Sequence, residues 1–491
     1  MNSRHIRIVY QSFFLGLFLL LLIMSRTGWI SAYPVDLFFW FDPLIALGTI
    51  LADWTLHSWM ILSIAVVVMT LFVGRFFCGW ICPLGALNDA VGYTKKRPPR
   101  EDREVNNPRP LFRLKYYILA ALLVTAALGT LHLGWLDPFS LLTRGISQSL
   151  GPVVSLFGID IHGHDVRFPG GWFAVLLLAG VLIANRWIPR LWCRAFCPLG
   201  ALLGILSRWA PFGIIRDDEG CTRCRVCRTS CNGAAEPDGD LRRSECILCL
   251  NCTHGCPQDV LRFGSAIPMT ERRAPDVAGR RMALAAVSGV VLWPVLRASS
   301  TDPGKASLTR IRPPGALPEE GFLARCVRCG MCVRTCPTGV LQLATDEAGA
   351  EGLWTPVMRF DCGYCELSCV LCGNVCPTGA IQPLVPSDKT DPDQPVRIGT
   401  AFYDRGRCLP WAMDKPCVVC EEVCPVSPKA IWTEDITVIN RNGEEVELHR
   451  PHIDPDRCIG CGTCQNECPV EDLPAVRVSA VGESRGKQFL L

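Results

Sequence analysis

Long apolar runs dominate the first part of the chain and vanish from its last third. Ile8 to Ser25 is apolar apart from Gln11 and follows Arg4 and Arg7; Trp59 to Val73, Tyr116 to Leu133 and Trp172 to Ala184 repeat the pattern. They lie near or below the roughly 20 residues that cross a bilayer as a helix, and they predict four spans. Val35 to Ala52 is also apolar, but Asp42-Pro43 interrupts it, so it reads as an interfacial or re-entrant piece. One more run, Ala283 to Leu296, stands behind Gly279-Arg280-Arg281-Met282 and predicts a fifth span, short for a bilayer. Beyond it the chain reads as a soluble α+β protein.

The charges between these runs orient them. Nine Lys/Arg fall from Arg75 to Lys115, against one from Arg26 to His57 and two from Gly134 to Gly171. The positive-inside rule then places the amino terminus, the 76–115 loop and the chain after Ile188 in the cytoplasm. Ile8 to Ser25 has no small-residue cleavage site and reads as an uncleaved anchor. Arg272, Arg273, Arg280 and Arg281 before the last run, with only Arg297 close behind it, predict an outward crossing.

The spans contain a repeat. Trp40 to Leu47 (WFDPLIAL) echoes Trp135 to Leu142 (WLDPFSLL), and Cys78 to Leu87 (CGWICPLGAL) echoes Cys193 to Leu202 (CRAFCPLGAL). Each unit is helix, Asp-Pro element, helix, CxxxCP, with Asp-Pro on the outer face and CxxxCP on the inner one. Residues four apart stack on one side of a helix. Cys78, Cys82, Cys193 and Cys197 can therefore gather four thiolates for a redox dithiol pair or a further iron–sulfur centre; the plainer reading is packing at a helix end. Asp42, Asp137, His57 and His132 near the outer ends are candidate proton acceptors, while Asp before Pro also caps turns.

Composition sharpens this picture. A net charge of +3 says nothing about nucleic acid, but no Lys/Arg block resembles a nucleic-acid arm, so no nucleic-acid partner is expected; 49% hydrophobic residues fit a membrane protein. The 29 cysteines all belong to motifs. Besides the CxxxCP pairs there are six ligand-type groups, which argue for metal ligation rather than disulfides.

In the first domain, Cys221, Cys224 and Cys227 with Cys256, and Cys246, Cys249 and Cys252 with Cys231, can each hold one [4Fe–4S] cluster, since the fourth cysteine of a ferredoxin run reaches the partner cluster. Zinc is the competing reading of CxxC pairs. Asn232 replaces the usual proline after Cys231. Four more motifs follow a Pro- and Gly-rich linker. Like spacing suggests a nested arrangement: Cys326, Cys329 and Cys332 with Cys468, and Cys458, Cys461 and Cys464 with Cys336. The inner pair then exchanges Cys376 and Cys424 between the Cys362, Cys365, Cys369, Cys372 group and Cys408, Cys417 and Cys420. One of Cys362, Cys365 and Cys369 is surplus. The expected total is six [4Fe–4S] clusters.

On these motifs, residues 1–270 resemble the NapH family of quinol dehydrogenase membrane subunits. Residues 279–485 resemble the NapG/MauM family of four-cluster ferredoxin-type proteins, so the whole resembles a fusion of the two. The resemblance implies a multi-pass protein of the bacterial inner membrane. Its α-helical bundle of four spans and a fifth would carry α+β bacterial-ferredoxin-like domains. The expected divisions are 1–209 (membrane), 210–270 (two-cluster, cytoplasmic), 279–298 (twin-arginine-like signal or fifth span), 299–320 (linker) and 321–485 (four-cluster, periplasmic). It further implies electron transfer from the membrane quinone pool to a periplasmic cytochrome or reductase, such as a nitrate reductase system. The alternative is an iron–sulfur assembly or maturation factor for a respiratory metalloenzyme. The motif at Gly279 departs from the full twin-arginine consensus.

Overall fold

A computed structural model describes residues 3–25, 35–54, 58–93, 98–156, 172–265, 288–291, 294, 310–345, 347–391, 394–439 and 443–485. These residues gather into two compact units, one within 3–24, 35–148 and 173–294, the other mainly within 310–485.

The first unit is helical. Arg4–Met24 and Pro110–Ala127 are long and apolar enough to cross a membrane; Pro43–Asp53, Met60–Val73 and Trp172–Ala184 are shorter apolar helices. The four-span reading is thus supported in length by two helices only. Large apolar side chains nevertheless face outward on several of them, including Val9, Phe13, Ile61, Ile64, Phe72, Trp172 and Leu176, each more than half exposed. The run from Tyr116 stops early: the helix ends at Ala127 and Gly129 turns the chain at φ +88°. Leu44 and Ile45, at the start of the Asp-Pro element, are fully buried. Of the expected fifth span only Ser288–Val291 and Pro294 are described, in helical conformation.

Three strand pairings bracket the cysteine motifs. β1 (Phe212–Arg216) pairs antiparallel with β2 (Leu261–Ser265), enclosing both motifs of the first ferredoxin domain. In the second unit, Ala316 bridges Ile381, with Leu317 N–H donating to Ala380 O at 3.1 Å and Gln382 N–H to Gly315 O at 2.7 Å. This bracket encloses the 326–336 and 362–376 motifs, between which β3 (Leu341–Leu343) pairs with β4 (Pro356–Met358). β5 (Thr400–Tyr403) pairs with β8 (Val476–Ser479) around the last two motifs, and β6 (Ile431–Ile439) and β7 (Glu445–Ile453) form a hairpin between them.

Two expectations change here. Residues 310–320, read as linker from their Pro and Gly content, belong to the folded unit: Ile311 and Arg312 are buried and Ala316 carries the bracket. The nested pairing of the late motifs gives way to pairing of neighbours. Strands flanking two consecutive motifs can meet after a short loop, which costs less closure entropy than joining the first motif to the last.

Candidate functional site

The cysteines converge as the brackets dictate. Cys221, Cys224, Cys227 and Cys256 line one recess of about 350 Å³. Cys231, Cys246, Cys249 and Cys252 line a second of about 320 Å³. Both sets are those expected from the ferredoxin crossover. In the second unit Cys336, Cys365, Cys369 and Cys372 line a recess of about 350 Å³. That resolves the surplus cysteine: Cys362 lies outside this set. Cys376 faces Cys326 and Cys332. Cys424 faces Cys458, Cys461 and Cys464, and Cys468 faces Cys408, which also neighbours Cys417 and Cys420.

Recesses lined by four sulfurs each suit a cubane by their donor set. Among the described residues, no group of three or more His, Cys, Asp or Glu is drawn tightly enough to hold a single metal ion. Burial pushes the Cys227 thiol up to about 11 and the Cys246 thiol up to about 12. Burial also drives Cys252 well up, with Cys249, Cys246 and Cys231 adding to it. Thiolates crowded in this way need a cationic core, which ferric and ferrous iron supply. Iron–sulfur clusters fit these donor sets.

Backbone geometry shapes the loops. Gly330 and Gly462 take φ of +76° and +79° at the N-caps of the short helices that carry Cys332 and Cys464. Asn232, which stands where a proline usually follows the fourth cysteine, ties the domain down: its Nδ2 donates to Asp89 Oδ1 at 3.1 Å and its carbonyl accepts from Arg194 Nη2 at 2.9 Å.

The four CxxxCP cysteines also come together. Cys193 and Cys78 neighbour both Cys82 and Cys197. Cys197 caps the helix Pro198–Leu206, its Sγ accepting from Gly200 N–H at 3.3 Å. The repeat proves longer than the cysteine pattern suggested, because an arginine stands three residues before each motif. Arg190 crosses to the first repeat, donating to Cys78 O at 2.9 Å and Gly85 O at 3.2 Å. Its Nε and Nη2 grip Asp89 at 2.7 Å each. Arg75 crosses the other way: a Cβ on Gly200 would stand 2.9 Å from its Nη2. Both guanidiniums are buried beside the sulfurs. The equal spacing of Arg75 and Arg190 was the available signal; counting Arg75 only as a loop charge missed it.

This quartet abuts the first ferredoxin domain. A Cβ on Gly79 would lie 2.2 Å from Ile247 O, between two cysteines of the second recess. Trp80 Nε1 donates to Leu248 O at 2.9 Å, and Arg75 Nη1 to Ser244 O at 2.9 Å. Glu245 accepts from Lys115 at 2.5 Å and Tyr116 at 3.0 Å, joining the same loop to the helix Leu114–Ala127.

At the other end of the repeat, Asp42 and Asp137 are both fully buried. Each caps a helix, Asp42 Oδ1 accepting from Leu44 N–H at 2.8 Å and Asp137 Oδ2 from Ser140 N–H at 2.8 Å. Capping accounts for one oxygen of each. Asp42 Oδ2 and Asp137 Oδ1 find no donor, and the two carboxyl groups lie against each other. Two carboxylate oxygens are both acceptors, so such a contact is a bond only with a proton between them. His132 is buried edge-on to Trp135, ring centroids 4.6 Å apart. His57 lies outside the described residues.

Comparisons with known proteins point to iron–sulfur domains over these stretches. A 4Fe-4S binding domain family matches twice, at residues 55–101 and 169–216, once over each CxxxCP unit. A 4Fe-4S dicluster domain family matches residues 325–380, which spans the two neighbouring motifs paired by the Ala316–Ile381 bridge. A further 4Fe-4S binding domain matches 449–470. The methylamine utilization ferredoxin-type protein MauM of Paracoccus denitrificans is 36% identical over 213 residues, 43% of this chain and 87% of that protein. Protein NirI of the same organism is 32% identical over 224 residues, covering 44% of this chain and 29% of NirI. The putative electron transport protein YccM of Escherichia coli is 29% identical over 235 residues, 46% of this chain. The chain spans 61% of the length of YccM. No solved structure matches.

Proposed function

The chain belongs to the MauM family of ferredoxin-type iron–sulfur proteins, and from that premise we propose that it relays electrons from membrane quinol through six [4Fe–4S] clusters to a periplasmic redox protein. The observation that carries this reading is the unbroken contact from the membrane cysteine quartet, through Gly79 and Trp80, to the Ile247–Leu248 loop of the first ferredoxin domain. An isolated ferredoxin has no use for a second sulfur cluster site locked against it at the membrane.

Bound clusters would supply one-electron chemistry at potentials tuned by their surroundings. The chain's residues do the rest. Cys78, Cys82, Cys193 and Cys197 form the entry centre, with Arg75 and Arg190 as its buried counter-charges. The Asp42–Asp137 pair accepts the protons a quinol gives up, Oδ2 and Oδ1 being the open positions. The outward apolar side chains support a multi-pass arrangement in the inner membrane. Gly289 supports a fifth crossing: a Cβ there would meet Ala121 O at 2.8 Å, a close helix approach of the kind small residues permit in bilayers. The basic 75–115 stretch then keeps the two-cluster domain cytoplasmic and the four-cluster domain faces the periplasm.

The test is anaerobic addition of a quinol analogue to membranes carrying the full chain, with the clusters followed by EPR. Cluster reduction is expected in the wild type, and slower reduction in Asp42→Asn and Asp137→Asn, which keep the caps and full iron. If dithionite reduces every cluster and quinol none, the relay from quinol is wrong.

A further inference from the structure

Lys389 is fully buried in the second unit, on the short helix Pro386–Thr390. Its Nζ donates to Cys365 Sγ at 3.4 Å, to Glu366 O at 2.5 Å and to Cys369 O at 2.9 Å. Three acceptors match the three N–H bonds of an ammonium; a neutral amine has two. A buried cation needs a counter-charge. Among the described residues, no carboxylate forms an ion pair with it. Glu366 turns its carboxylate to Ser368, and Asp388 caps the helix by accepting from Val385 N–H at 3.0 Å. The negative group facing this ammonium is therefore the sulfur itself, and through it whatever Cys336, Cys365, Cys369 and Cys372 hold.

The position is also a junction. Cys365 N–H donates to Cys461 O at 2.8 Å, joining the recess lined by Cys336 to the set around Cys461 in the neighbouring dicluster. Cys461 is itself within electrostatic reach of Lys389. By contrast, Cys420 in the Cys408 set receives a neutral donor, Tyr403 Oη, at 3.2 Å.

We propose that Lys389 is a positioning residue that raises the reduction potential of the cluster held by Cys336, Cys365, Cys369 and Cys372, so that electrons collect at the junction between the two late diclusters. The sign follows from charge: adding an electron makes the cluster more negative, and an ammonium at hydrogen-bond distance favours that form. Charge and hydrogen bonds to sulfur are established levers on cluster potential. The proposal rests on the cluster assignment above, but not on quinol as donor or on the side of the membrane.

The test is an EPR-monitored redox titration of the purified full-length protein, poised with dithionite and mediators, alongside iron analysis. Dithionite makes the outcome independent of quinol oxidation. In Lys389→Met one midpoint should fall, so that its reduced-to-oxidised ratio at the wild-type midpoint drops at least tenfold, about 59 mV for one electron. The other midpoints should stay in place, and Lys389→Arg should keep the wild-type value. Unchanged midpoints in Lys389→Met with full iron overturn the proposal. If the Met variant loses one cluster, Lys389→Arg decides: retained iron and potential support the counter-charge role, and loss there as well reduces Lys389 to a packing residue.

Discussion

Replacing Glu319 by Gln takes one negative charge from the middle of three arginines. Arg312 Nη2 lies 2.6 Å from Oε1 and Nε 3.2 Å from Oε2, Arg485 Nη1 lies 3.0 Å from Oε2, and Arg310 Nη1 lies 3.4 Å from Oε1. Burial by itself would raise the Glu319 carboxyl, but these guanidiniums, Arg312 foremost, outweigh it and hold it down to about 2 from 4.5. At 1.36 kcal/mol per decade, that difference is about 3 kcal/mol of stability. The sign is that of a carboxyl lowered by folding: the contribution is complete above 4.5 and disappears as pH falls through about 2. The loss should be felt at the clusters, because Glu319 starts the helix Glu319–Arg325 that leads into Cys326, next to the bracketing residue Ala316. Arg312 would be left buried with neutral acceptors only: Thr355 Oγ1, Pro356 O and the one amide oxygen that glutamine keeps. In the anaerobic full-length protein at neutral pH and fixed guanidinium, Glu319→Gln should lose its visible cluster absorbance up to about a hundredfold faster, the ratio that 3 kcal/mol allows. The gap between variant and wild type should narrow from about pH 5 towards pH 2. Bleaching within twofold of wild type at neutral pH would show that the arginine cage is not what holds this unit.

Cys362→Ser should leave iron per chain unchanged, whereas Cys365→Ser should lose or convert one cluster; iron analysis with EPR distinguishes them, and equal losses would contradict the assignment of the surplus cysteine. Gly79→Ala puts a methyl 2.2 Å from Ile247 O, a backbone atom that cannot swing aside, so overpacking should cost about 1–3 kcal/mol. It should also slow electron transfer from the membrane quartet to the first dicluster in rapid-mixing experiments; an unchanged rate at unchanged stability would mean that this contact is no conduit.

Much of the site was legible because its chemistry is local. A CxxCxxC turn presents three sulfurs wherever it folds, and the crossover of the fourth cysteine in residues 221–256 follows from the same short-range geometry. The repeat of WxDP and CxxxCP placed two aspartates and four cysteines at equivalent positions, and both groups do meet. Less was legible where identity depended on partners distant in sequence. The nested pairing of late motifs failed because likeness of spacing says nothing about which strands bracket a domain; Ala316 and Ile381, lying outside any cysteine motif, decide it. The same holds for Arg75, counted as a loop charge, and for Arg190, each of which is found across the pseudo-symmetric pair.

From its sequence alone, then, the chain determined the kind of ligands, their arrangement in six ferredoxin-type motifs and two CxxxCP pairs, the apolar runs and the charge asymmetry around them. Those properties are carried by residue type and short spacing. Tertiary structure decided that Cys362 stands apart from the four-sulfur recess, that Asp42 and Asp137 form one pair, and that a lysine at 389 serves a sulfur rather than a carboxylate. Each is a contact between segments with no spacing rule, set only when packing brings them to the same place and buried charge has to find its counterpart there.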